Sequence, residues 1–148
     1  DLRREILDHD HPEIAVTING MALTVRRLGL VSTAAELHED ALSIYEAHFD
    51  EDHPAIAACR HGLAQALHRL GKAKQARDHM ARALASSERR QGIDHIHTWV
   101  TRFELGRLEA DAGDLATGYR RMEASRLRLT EKLGADHPTV QAIRRWMR

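Results

Sequence analysis

The sequence predicts an all-α solenoid of antiparallel helix pairs, and three observations predict it. The tripeptide Asp-His-Pro stands at 10–12, 52–54 and 136–138, with Asp94-His95-Ile96 as a degraded copy. Each copy follows the last after the same interval of 42 residues, a period that marks helical units stacked one on the next. Within each interval apolar residues recur at steps of three and four, twice over, with a glycine between the two runs. That pattern gives two amphipathic helices per unit. The chain therefore divides into a lead-in (1–9), three whole repeats (10–51, 52–93, 94–135) and a partial fourth (136–148), all in a single repeat domain.

Residues 1–9 align with the end of a repeat, Leu2 and Leu7 falling where Ile44 and Phe49 fall, and so read as the last turns of a helix. Repeat one opens a helix at Pro12, because proline suits a first position whose N–H has no partner. His11 or Asp10 is placed to accept from the free N–H groups of that first turn. Ile14, Ile18, Met21, Val25 and Leu28 form the inward stripe of helix 12–28, and Gly29 ends it. A second helix over 31–49 turns Ala34, Leu37, Ala41, Leu42 and Ile44 inward. Repeat two copies the plan over 54–70 and 73–91, with Ile56, Leu63, Leu67 and Leu70, then Ala76, Met80, Ala83 and Leu84. Repeat three predicts helices at 96–112 and 115–133, with Trp99, Val100, Phe103, Leu105 and Leu108 as its first stripe. Gly106 and Gly118 lie inside these helices, where each costs about 1 kcal/mol against alanine. Both align with alanines in the earlier repeats, which predicts a close helix–helix contact there. A last helix over 138–147 carries Val140, Ile143, Trp146 and Met147 and caps the stack.

Composition narrows the function. Acidic and basic residues balance at 22 each, so bulk charge favours neither nucleic acid nor membrane as partner. One cysteine, Cys59, excludes an internal disulfide and fits a reducing, cytoplasmic setting. No apolar run approaches the roughly 20 residues that span a bilayer. The chain opens and stops within the repeat pattern, as a piece of a longer protein would. Eleven histidines raise a metal site, yet four of them (11, 53, 95, 137) are the repeat itself. Structural histidines are therefore expected, and no metal or cofactor. No nucleophile–base set and no glycine-rich phosphate loop is present, which argues against an enzyme.

The small residues at fixed places carry a resemblance. Met21-Ala22, Leu63-Ala64 and Leu105-Gly106 match the large–small pair in the first helix of a tetratricopeptide repeat. Gly29, Gly71 and Gly113 match its turn glycine. Ala34, Ala76 and Gly118, then Ala41, Ala83 and Ser125, match the small positions of its second helix. The 42-residue length and the His-Pro start resemble the kinesin light chain type, a variant also found in bacterial multidomain signalling proteins. The paired asparagines frequent in that type are replaced here by Asn19-Gly20, His61-Gly62 and Phe103-Glu104, so kinesin-like cargo choice is not implied.

The resemblance implies a right-handed superhelix whose first helices line a concave, peptide-holding groove. On this chain the groove residues would be Asn19, Leu23, Arg26 and Arg27 of repeat one, with His61, Gln65, His68 and Arg69 of repeat two. Phe103, Arg107 and Asp111 would serve in repeat three. Phe103 and Leu23 are read as apolar anchors and the arginines as carboxylate partners. The expected occupant is an acidic or polar peptide with apolar anchors, held more tightly below about pH 6.5 if His61 and His68 protonate toward it. The alternative is a self-assembly or regulatory segment that stacks through the repeat ends.

Overall fold

A computed structural model describes residues 11–148, and the lead-in reading of 1–9 and the capping option for Asp10 lie outside them. Seven helices follow one another with no strand among the described residues: α1 (Pro12–Arg27), α2 (Val31–His48), α3 (Pro54–Arg69), α4 (Ala73–Gln91), α5 (Ile96–Asp111), α6 (Leu115–Leu133) and α7 (Pro138–Trp146). Each start matches the start predicted from the repeat, and each end falls within a residue of it. Consecutive helices pack as antiparallel pairs, and each pair leans on the next.

The recurring histidine is the helix cap. His11, His53, His95 and His137 each accept, through Nδ1, the backbone N–H two residues on, at 3.1–3.2 Å. A cap of this kind satisfies one of the donors that a helix start leaves open. His53 is further held by stacking on Phe49, with ring centroids 3.9 Å apart. The neighbouring aspartate does different work: it closes the open end of the same helix pair. Asp52 receives Arg89 from the last turns of α4, and Asp94 receives Arg128 and Lys132 from α6. At the other end of each pair the turn repeats three times over. Gly29, Gly71 and Gly113 all have positive φ, and Leu30, Lys72 and Asp114 each donate a backbone bond five residues back. Glycine adopts that left-handed conformation without strain.

The predicted close contact is present in repeat three. A Cβ on Gly106 would lie 2.8 Å from the Gly118 carbonyl oxygen, and a Cβ on Gly118 would lie 2.5 Å from that of Gly106. Only glycine lets these two backbones meet. The core runs along the stack, with Ile56, Leu63, Ala64, Ala76 and Met80 at its centre and Phe103, Met122, Leu129 and Val140 at the α7 end.

Some inward assignments change. Met21 and Leu28 are 51% and 72% exposed, whereas Leu63, the counterpart of Met21, is fully buried. For Met21 the cause is position: α2 covers α3, but no described helix precedes α1. Leu70, at the end of α3, is also exposed. In α5 the inward register belongs to Thr98 and Thr101, both fully buried, with hydroxyls bonded to the carbonyls of Gly92 and His97. Trp99 is half-buried against the core, donating its indole N–H to Asp94 and carrying the Arg102 guanidinium over its ring. Val100 is half-buried.

Candidate functional site

The predicted groove residues lie on α1, α3 and α5, and the structure brings most of them into contact across the joints between repeats. At the first joint Asn19 of α1 meets His38 of α2 and Gly62 of α3. His38 is fully buried, its Nδ1 lies 2.8 Å from Asn19 Oδ1, and its Nε2 has no partner. Burial pushes the imidazole down to about pKa 4, and the positive charge of Arg26 adds to the shift. Gly62 leaves the room this ring needs, since a Cβ there would stand 2.6 Å from its Cε1. Arg26 reaches across the same joint to the amide oxygen of Gln65.

The second joint uses the same positions one repeat on. His61 bonds Glu104 over the buried Met80, and His68 bonds Asp111 at 2.5 Å. Both imidazoles therefore already face carboxylates of the chain itself, which changes the expectation that they lie open to an acidic ligand. A small hollow of about 50 Å³ sits between Gln65, His68, Met80, Glu104, Arg107 and Leu108. At the third joint the positions hold Phe103, Met122 and Trp146. Phe103 and Trp146 meet edge to face with centroids 5.8 Å apart, and the Arg107 guanidinium lies 4.7 Å over the Trp146 ring.

Phe103 is the clear correction to the predicted site. It is only 5% exposed, so it is a core residue beneath α7 rather than an open anchor. Ala110, on the same face, is buried as well. Leu23 is 39% exposed and remains on the surface, as do Arg27, Arg69 and the partly paired Asp111. The exposed aromatic at this end is Trp146, itself 39% exposed, which the sequence reading assigned to a cap. The signal was present: Trp146 stands 42 residues after Glu104 and 84 after Gly62, on the same position of a first-type helix. His38 was missed because it occupies a position held by methionine in the other repeats, Met80 and Met122.

No alternative chemistry stands out among the described residues. No group of three His, Cys, Asp or Glu side chains is placed to hold a metal ion, and no helix is long and apolar enough to cross a membrane. Cys59 is fully buried, donates to the His38 carbonyl and has its thiol pushed up to about pKa 12 by burial, so it is not a nucleophile.

Comparison with known proteins defines the class. Residues 34–89 match the tetratricopeptide repeat family model. Among solved structures the chain is similar to a Podosopora anserina protein named for kinesin light chain, with nearly identical TPR-like repeats. The two share 22% identity and a TM-score of 0.81 over 96% of this chain and 67% of that one. A variant of that protein with a single substitution gives 0.82 with the same identity and coverage. BtubC (BKLC) from P. vanneervenii matches at 20% identity and a TM-score of 0.75, over 99% of this chain and 69% of that one. No curated protein matches the sequence. In architecture the chain has the fold of a tetratricopeptide-repeat solenoid, similar to these structures. Repeats of this family generally mediate protein–protein interaction.

Proposed function

We propose that the chain is a non-catalytic interaction scaffold, a single domain of three whole repeats with partial units at both ends, that holds a peptide or protein segment in its concave groove. The observation that carries this reading is the Arg107–Trp146 pair. A guanidinium rests on a partly exposed indole where α5 meets α7. Aromatic residues and arginines of this sort are the usual energetic anchors of an interface. The partner is an acidic or polar segment with apolar side chains, the latter taken by Trp146 and Leu23. Neither nucleic acid nor a membrane is the partner, and no cofactor takes part. The buried Cys59 thiol fits a cytoplasmic setting.

The test is selection of a displayed peptide library on the protein, followed by titration of the best peptide. Micromolar affinity, about −8 kcal/mol, is expected, weakening as salt rises. Arg69→Glu with Arg107→Glu should lower it at least tenfold while circular dichroism stays unchanged. Equal affinity would remove the site from this face. A second reading, self-association, is favoured by the exposed Val16 and Met21 on α1 and Leu28 just after it. Light scattering that shows a monomer at high micromolar concentration would exclude it.

A further inference from the structure

We infer that an acidic protein segment is engaged at the turn edge of the first two repeats, beside the groove and not on its floor. The inference rests on the scaffold reading above and locates its charge recognition. On the floor, the cationic side chains are already occupied: Arg26 by Gln65, His61 by Glu104, His68 by Asp111 and Arg107 by the Trp146 ring. The side chains of Arg27, Arg69, Lys72 and Lys74 are exposed and make no ion pair among the described residues. Arg27 and Arg69 close the last turns of α1 and α3, and Lys72 and Lys74 begin α4, so all four stand at the ends of helices that meet in the turns. Two of the three lysines in the whole chain lie in this one turn.

The edge has a sign, and the sign changes along the stack. The position held by Arg27 and Arg69 is Asp111 in repeat three, and the position of Lys72 is Leu30 in repeat one and Asp114 in repeat three. Positive charge is thus confined to the first two turns. Asp111 is tied to His68, and a cleft of about 400 Å³ opens between Gly71, Lys72, Ala73, Lys74, Gln75 and the Asp111–Ala112 corner. Lysine carries its charge on a flexible stem with three rotatable donors, and arginine offers a planar fork. Together they suit carboxylates spaced along an extended chain. Four cations on a chain of zero net charge suit a short run of acidic side chains better than a phosphate polymer, whose binding calls for many phosphate contacts.

The experiment uses the whole chain, isotope-labelled for NMR, with a fluorescent ten-residue glutamate peptide carrying one tryptophan as the probe. Amide shifts concentrated at Gly71–Gln75 and Gly29–Leu30, with at least tenfold weaker binding by Lys72→Glu/Lys74→Glu, are the expected result. A Gln91→Glu control, at the far end of α4, should bind as the unmodified chain does. Shifts confined to His61–His68 and Glu104–Asp111, with the lysine variant binding normally, overturn the edge and leave the groove reading standing. No shift on either surface overturns both. A single-stranded RNA homopolymer or an anionic vesicle that binds more tightly than the peptide at equal salt also overturns the inference.

Discussion

Between the first and second repeats, Asn19, His38 and Gly62 meet in a polar, tightly fitted contact with one ring nitrogen left unpartnered. Between the third repeat and α7, the same three positions hold Phe103, Met122 and Trp146, and the contact is apolar and aromatic. The joint between them mixes the two, with Met80 below and the His61–Glu104 bond above. One backbone geometry therefore accepts three side-chain solutions, provided the three residues change together. A glycine at 62 belongs with a histidine at 38, as a tryptophan at 146 belongs with a phenylalanine at 103. The lesson is that the fold fixes where side chains meet but leaves the chemistry of each meeting free, so the joints can differ in strength and in response to conditions.

The comparison is broken most severely at its aromatic end. Phe103→Ala should lower stability by about 3–4 kcal/mol, because it removes a buried ring and leaves Trp146 facing a cavity. Chemical denaturation measures this, and a loss below about 1 kcal/mol would mean that α7 does not hold Phe103 in the core.

The polar joint should respond to acid, and the aromatic one, which has no member titrating in that range, should not. His38 is held neutral in the fold, so an unfolded chain takes up a proton below its ordinary pKa of 6.5 while the folded chain does not until about pH 4. The stability that goes with neutral His38 is thus fully present above pH 6.5 and is lost as pH falls from 6.5 to 4, about 3 kcal/mol at most. His79 and His97 are lowered as well and act in the same direction. Asp52, Asp94 and Glu123, whose carboxyls are lowered by their arginine partners, act only below about pH 4.5. His38→Met, which installs the residue of the other two joints, should flatten the slope of stability against pH. An unchanged slope would place the sensitivity elsewhere.

Smaller effects sharpen the pairing rule. Gly62→Ala should cost about 1–3 kcal/mol through overpacking against the His38 ring, and the penalty should shrink when His38→Met is added. Additive losses in the double variant would deny the coupling. His61→Ala, which breaks a partly exposed bond in the middle joint, should cost no more than about 1 kcal/mol by thermal melting.

The helices were legible because a 42-residue period repeats every punctuation mark: the histidine before the helix, the glycine in the turn and the small residues at the crossing. The joints were less legible, because their partners are 19 or 43 residues apart and come from different helices, as with Asn19–His38 and His61–Glu104. Periodicity says which positions face each other but not whether Arg26 will find an amide or a carboxylate. Burial at the end of a stack was illegible for a further reason. A stripe of apolar residues shows which way a helix faces, and Met21 lies on that stripe, yet its exposure is set by how many neighbours α1 has. Thr98 was missed because its hydroxyl suggested exposure, whereas the repeat register places it where Ile56 stands.

The aspartate at each repeat boundary has a mechanical consequence. A pair of helices is joined covalently at its glycine turn, and Asp52 with Arg89, or Asp94 with Arg128 and Lys132, fastens the opposite end. These two pairs are clasped at both extremities and resist opening like a closed book. Bending of the superhelix then falls on the spines between books, where the joints differ. The first of these joints rests on a glycine and a single imidazole, the last on the Phe103 and Trp146 rings.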